Sequence, residues 1–173
     1  MSITGVSFIE SFTDDPSALF HSLSTGVNWD ERMAARKTAS YGVAYNYSQM
    51  SYPYQAFLPE LDALLTPIEE AVGFRPNNCL LNYYLDGKSR MGFHSDQTDI
   101  LASDTGVVII SLGATRALTF RNIEDGSIRH SYMLPSGSLI YMTQAVQDEW
   151  QHAIPRDNTA AGRISLTFRN IQA

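Results

Sequence analysis

The sequence predicts a mostly β protein with flanking helices, an α+β chain built around a jelly roll. Three observations predict it. From Cys79 onward, short strand-like runs alternate with turn signals. Helical periodicity gathers in the first third, and nothing reads as alternating βαβ units.

Asp14 or Asp15 caps a short helix over 16–23, where Pro16 is tolerated in the first turn. A stronger helix covers 59–72. Leu61, Leu64, Leu65, Ile68 and Val72 recur there at helical spacing, and Gly73 supplies the stop. Pro67 falls inside that pattern and is expected to bend or break it. The rest of the first third reads as irregular. Strands are expected over 79–85, 107–112, 117–122, 128–134, 137–142 and 163–171. Glu124-Asp125-Gly126 and Pro135-Ser136-Gly137 supply turns between them. At 173 residues the chain fits one domain, with an N-terminal helical extension over 1–78 and a jelly-roll core over 79–173.

The formal net charge of -6 gives no general attraction for a phosphate backbone. Charge is uneven, however: Arg32, Arg36 and Lys37 form one basic cluster, Lys88 and Arg90 another. The single cysteine, Cys79, excludes an internal disulfide and fits a reducing compartment. The N-terminus lacks a basic segment followed by an apolar run, and the β-branched run 107–110 is too short to span a bilayer. A soluble, cytoplasmic monomer with no membrane partner is the expectation.

His94-Ser95-Asp96 sets an imidazole and a carboxylate two residues apart, and on an extended backbone such residues point the same way. A nitrogen from a distant strand would complete a two-histidine, one-carboxylate set that leaves positions open on Fe(II). Of the four histidines, His21 reads as a helix residue and His130 as part of an alternating strand. His152 is the best third ligand. The triplet alone arises often by chance, so its weight comes from what surrounds it.

In the segment from Arg163 to Arg169, Ile164, Leu166 and Phe168 face one way, and Arg163, Ser165, Thr167 and Arg169 the other. The two arginines lie roughly 20 Å apart along the backbone, and their side chains can converge on a small dicarboxylate between them. Asn82 and Tyr84 share one face of another strand and can add neutral hydrogen bonds. A solvent-facing edge strand would show the same alternation. The position of this segment shortly after His152 favours the cavity reading, because a metal-chelating oxoacid needs a distal cation.

Together these residues resemble the AlkB-like nucleic-acid demethylases among the Fe(II)/2-oxoglutarate oxygenases. The resemblance runs from about Arg36 to Ile171. It rests on Tyr41-Gly42, Tyr45-x-Tyr47-Ser48, Asn82-x-Tyr84, His94-x-Asp96, Ser111-Leu112-Gly113, Trp150-x-His152 and Arg163-x-Ser165-x-Thr167-x-Arg169. It implies a double-stranded β-helix, with Fe(II) on His94, Asp96 and His152. Arg163 would pair with the distal carboxylate of 2-oxoglutarate, Arg169 would lie nearer the metal, and Asn82, Tyr84 and Ser165 would complete the pocket. The implied reaction consumes O2 and 2-oxoglutarate, hydroxylates an N-alkyl carbon, and releases an aldehyde, succinate and CO2.

The same resemblance makes 32–54 the nucleobase-covering segment, with Tyr45 and Tyr47 offered for stacking and Arg36 and Lys37 for phosphates. An acidic base-recognition residue is expected just after Asp96. Here Asp96-Gln97-Thr98-Asp99 leaves the register open between Thr98 and Asp99, with Asp99 the chemical match. The expected substrate is alkylated nucleic acid, single strands favoured and DNA ahead of RNA. The alternatives are a hydroxylase of a protein side chain or small metabolite on the same fold, and a non-catalytic jelly-roll binding module.

Overall fold

The computed structural model describes residues 2–47 and 50–172, the side chains of Tyr47 and Met50 excepted. In chain order the first elements are β1 (Val6–Ile9), α1 (Pro16–Gly26), β2 (Lys37–Gly42), β3 (Tyr45–Tyr47), β4 (Met50–Tyr52) and α2 (Pro59–Val72). Then follow β5 (Asn78–Tyr84), β6 (Met91–His94), β7 (Val107–Gly113), β8 (Arg116–Asn122) and β9 (Arg129–Leu134). The chain closes with β10 (Leu139–Met142), α3 (Gln144–Glu149), β11 (Trp150–Ile154) and β12 (Arg163–Arg169).

The strands form a six-stranded sheet in the order β1-β10-β7-β12-β5-β2 and a four-stranded sheet in the order β6-β11-β8-β9. Neighbours in both are antiparallel. Strand alternation sorts the core into two layers. On one face of the large sheet, Ile110, Leu112, Ile164, Leu166 and Phe168 pack against Leu23 of α1 and Leu61, Leu65 and Ile68 of α2. On the other, Val107, Ile109, Ile140 and Met142 meet Leu118, Phe120 and Ile154 of the small sheet. Two antiparallel sheets face to face, helices outside, make the jelly roll that the strand spacing predicted.

Asp15 caps α1, its carboxylate accepting from Ala18 N at 3.1 Å, and α1 runs beyond the predicted end. Gly73 ends α2 in the left-handed conformation, as expected. Pro67 does not break α2, which passes through it as one helix. Both Pro67 and Ala63, whose carbonyl loses its helical donor, are exposed, so water can satisfy that oxygen.

The first third is less irregular than its sequence indicates, because β1 and β2 are the outer strands of the large sheet. Two glycines from the resemblance motifs have backbone reasons. Gly42 has φ +85, and a Cβ there would stand 2.1 Å from the Asn77 carbonyl oxygen. Gly113 has φ +87, and a Cβ would stand 2.4 Å from the Gly162 carbonyl oxygen. Among the described residues, no helix is long and apolar enough to cross a membrane.

Candidate active site

β12 lies between β7 and β5 in the large sheet, and all 7 of its residues are buried. An edge-strand reading of its alternation is therefore excluded. Its apolar residues enter the helix-side core, while Arg163, Ser165, Thr167 and Arg169 line a cavity of about 360 Å³ between the sheets. That volume sits within the range of small-molecule sites. Register brings the predicted neighbours to it, with Asn82 opposite Ser165 and Tyr84 opposite Arg163.

The small sheet supplies the opposite wall. His152 of β11 is the register partner of His94 of β6, and their ring centroids lie 4.4 Å apart. Asp96, just past β6, places Oδ1 3.2 Å from His94 Nε2 and 3.4 Å from His152 Nε2. One ligand atom from each of the three lies within 4.8 Å of the others. His94 Nδ1 lies 2.9 Å from the Gly92 carbonyl oxygen; donating there directs the Nε2 lone pair at the cluster. The loop is pinned by Asp96 N donating to Gln147 Oε1 of α3 at 2.8 Å and by Ser95 Oγ donating to the Trp150 carbonyl at 2.9 Å.

Burial opposes ionisation of Asp96. The charges of Arg169 and His152, with hydrogen bonds from both histidines, outweigh it and hold the carboxyl well below the usual carboxylate range. Arg169 Nη2 donates to Asp96 Oδ2 at 3.2 Å. For His94, burial and the Arg36 charge oppose protonation, but Asp96 and the Gly92 carbonyl prevail and raise its pKa.

A family model described as the 2OG-Fe(II) oxygenase superfamily matches residues 15–169. The alpha-ketoglutarate-dependent dioxygenase alkB homolog 3 of Rattus norvegicus is 33% identical over 99% of this chain and 66% of that protein. Its Mus musculus counterpart is 33% identical over 99% of this chain and 68% of that protein. This chain is an AlkB-like 2OG-Fe(II) oxygenase. The DNA oxidative demethylase ALKBH2 of Homo sapiens is 31% identical over 79% of this chain and 56% of that protein. The solved structure of OsALKBH1 shares the fold at TM-score 0.74 with 15% identity, covering 98% of this chain and 100% of that one. The chain thus spans about two thirds of the length of its alkB homolog 3 relatives.

As an oxygenase of this superfamily the protein uses Fe(II), 2-oxoglutarate and O2, and the cavity fits them. Two imidazoles and a carboxylate converge on one point, the donor set for Fe(II) with open positions. Arg163, almost fully buried, donates from Nη2 to Ser111 Oγ at 2.7 Å, yet its Nε and Nη1 have no partner. Burial, with Arg116 adding to it, pulls its pKa down against help from Tyr84. Buried guanidinium donors without acceptors are what the distal carboxylate of an oxoacid would satisfy.

The cover residues predicted from sequence divide. Tyr45 is buried on the cavity wall, its ring centroid 4.9 Å from the Arg169 guanidinium carbon. Arg36 also lines the cavity, buried, with Nε donating to Asn82 Oδ1 at 2.8 Å. It is no exposed phosphate contact. Lys37 points to the other face of β2 and pairs with Glu31 at 3.0 Å, away from the cavity. The Tyr47 side chain and Ser48 lie outside the described residues. Neither Thr98 nor Asp99 lines the cavity. They begin a turn in which Leu101 N donates to the Thr98 carbonyl, and Asp99 is exposed. The residue after Asp96 that does line it is Gln97. Sequence reasoning also missed Gln147, which no motif flags because its role is one backbone contact.

Proposed function

We propose that this AlkB-like oxygenase oxidatively dealkylates N-alkylated bases in nucleic acid, with DNA ahead of RNA and single strands favoured. One observation carries the reading. A single cavity presents His94, Asp96 and His152 on one wall and, on the other, Arg163 with two buried guanidinium nitrogens, Nε and Nη1, lacking acceptors, with aromatic rings Tyr45 and Phe93 on its lining. The similarity to ALKBH2, a DNA oxidative demethylase, supports DNA as the polymer.

His94 and His152 through Nε2, and Asp96 through its carboxylate, would hold the metal, and Arg163 would anchor the oxoacid's distal carboxylate. When bound, metal, oxoacid and oxygen supply the oxidation that hydroxylates the alkyl carbon, leaving succinate and CO2, and the hydroxylated product releases its aldehyde. The chain's own contribution is placement. Asn82 and Ser165, opposite one another, would flank the oxoacid between the two arginines. Ile109, Leu118 and Ile154 keep that floor apolar and exclude water from the reacting centre. A base must leave its stack to enter a cavity between two sheets, and extrusion costs least from single strands. We also read residues 32–54 as the cover over that base, and the chain as one cytoplasmic, monomeric oxygenase domain over 1–173.

The test is formaldehyde release coupled to succinate formation on methylated oligonucleotides. Stoichiometric coupling is expected, with single strands ahead of matched duplexes. If succinate forms equally with and without methylated DNA or RNA while a peptide or metabolite accelerates it, the hydroxylase alternative replaces this reading.

A further inference from the structure

One charged side chain stands where the small sheet points into the core. Arg116, Leu118 and Phe120 share the inward face of β8, and Arg116 is 0% exposed. Arginine is almost never fully buried unless it is paired. Here the partners are neutral. Nη1 donates to the Asp86 carbonyl at 3.2 Å, and Nη2 donates to the Ser89 and Pro155 carbonyls at 2.9 and 2.8 Å. Nε has no acceptor, and among the described residues no carboxylate forms an ion pair with this guanidinium. Carbonyl dipoles orient the group and leave its charge whole.

That charge sits behind one end of the cavity. Arg116 does not line the cavity, but Tyr84 does. The Tyr84 ring centroid lies 5.6 Å from the guanidinium carbon of Arg116 and 5.2 Å from that of Arg163. Arg163 likewise forms no ion pair among the described residues. Burial lowers its pKa and the Arg116 charge adds to the effect, so the two guanidinium groups repel across a medium of low dielectric. Two like charges around one ring are costly by themselves. An anionic group held at Arg163 would be attracted by both. An oxoacid with a second carboxylate at its far end gains from this, and the same acid with a methyl group there does not.

We propose that Arg116 is a positioning residue that acts from behind Tyr84, its charge favouring an oxoacid whose distal carboxylate lies at Arg163. The inference rests on the assignment of that carboxylate to Arg163 and is independent of the nucleic-acid reading. The probes are 2-oxoglutarate and 2-oxopentanoate, which carries a methyl group in place of the distal carboxylate. Each is titrated calorimetrically into Mn(II)-loaded wild type, Arg116→Gln, Arg116→Lys and Arg163→Met, and chelator titration reads Mn(II) affinity. Arg116→Gln removes the charge and keeps an amide donor for the carbonyls. It should weaken 2-oxoglutarate by about tenfold or more, and leave 2-oxopentanoate and Mn(II) within about threefold of wild type. Arg116→Lys keeps the charge and should retain the wild-type preference between the two acids. Equal losses for both acids in Arg116→Gln would reduce Arg116 to a structural tie between the loops beside β6 and β11, and an unchanged 2-oxoglutarate affinity would show its charge to be idle. Either result overturns the proposal, as does loss of the preference in Arg116→Lys. Should Arg116→Gln fail to fold by circular dichroism, Arg116→Met, which buries no unpaired amide, takes its place with the same expectations. If Arg163→Met leaves 2-oxoglutarate affinity unchanged, the distal-carboxylate assignment itself fails; a loss there with none in Arg116→Gln sinks the role of Arg116 alone.

Discussion

His94 and His152 stand directly opposite each other across β6 and β11, and Asp96 reaches both Nε2 atoms with a single oxygen. Without a metal, that oxygen and Arg169 hold the cluster together, so the three ligands are not equivalent in the metal-free protein. Asp96→Ala leaves Arg169 buried beside no carboxylate, a change that typically costs about 3–5 kcal/mol. His94→Ala removes a side chain that is 33% exposed and should cost far less stability. All three alanine variants should lose the visible charge-transfer band that Fe(II) and 2-oxoglutarate give anaerobically, and His130→Ala should keep it. Loss of the band in His130→Ala with retention in His152→Ala would move the third ligand.

The Asp96 carboxyl also predicts how the metal-free protein meets acid. Its folded pKa lies below its unfolded value of about 3.9, so its stabilisation is complete above that value and is lost as pH falls through the folded one. His94, raised in the fold, has the opposite sign. Its stabilisation is present below about 6.5 and fades as pH rises through the folded value. Denaturant unfolding of wild type and Asp96→Asn should therefore diverge in slope as pH falls below about 4, with the flatter curve in the variant. Parallel curves would remove Asp96 as the group responsible.

Much of the site was legible because β12 is buried on both faces with different chemistry on each. Apolar residues meet the helices and cations meet the cavity, so strict alternation survives in the sequence. β2 is buried from Thr38 onward but leaves no such trace. Its alternate residues Thr38 and Ser40 are small, polar and buried, Thr38 bonded to the Tyr52 hydroxyl and Ser40 to the Asn78 amide. A run reading Lys-Thr-Ala-Ser-Tyr-Gly carries no apolar period to detect. β6 is only 4 residues long. The loop after Asp96 was illegible for another reason, since which side chain points inward is set by the turn that begins at Thr98.

Gln147 should behave as a positioning residue. It is buried on α3 and accepts the Asp96 backbone N–H at 2.8 Å, so it fixes the ligand loop without touching the cluster. Outer contacts of this kind are typically worth about 10–100-fold in metal affinity. Gln147→Leu should weaken Fe(II) or Mn(II) binding by about that factor, and Gln147→Glu, which keeps an acceptor, should recover most of it. Competitive chelator titration reads both, and equal affinities for wild type and Gln147→Leu would show the contact to be idle.

The two arginines of β12 should separate when each is replaced. Arg163 touches no ligand of the cluster, and two of its buried nitrogens lack acceptors. Arg163→Met should therefore leave Mn(II) affinity within about threefold of wild type while weakening 2-oxoglutarate by more than about a hundredfold, since losing one partner of a buried charge pair costs about 3–5 kcal/mol. In the absence of oxoacid the same variant should be no less stable than wild type, because it removes a buried cation whose donors are incompletely satisfied. Arg163→Lys keeps the charge but not the planar fork and should fall between the two. Arg169→Met differs in kind: it releases Asp96 Oδ2, so metal and oxoacid binding should weaken together and the metal-free protein should lose stability. Chelator titration of Mn(II), calorimetric titration of 2-oxoglutarate into the Mn(II)-loaded proteins and thermal unfolding of the unloaded ones measure metal affinity, oxoacid affinity and stability in turn. An unchanged 2-oxoglutarate affinity in Arg163→Met would sink the assignment of the distal carboxylate. Metal affinity lost in Arg163→Met as fully as in Arg169→Met would show that the two act as one unit rather than at separate ends of the oxoacid.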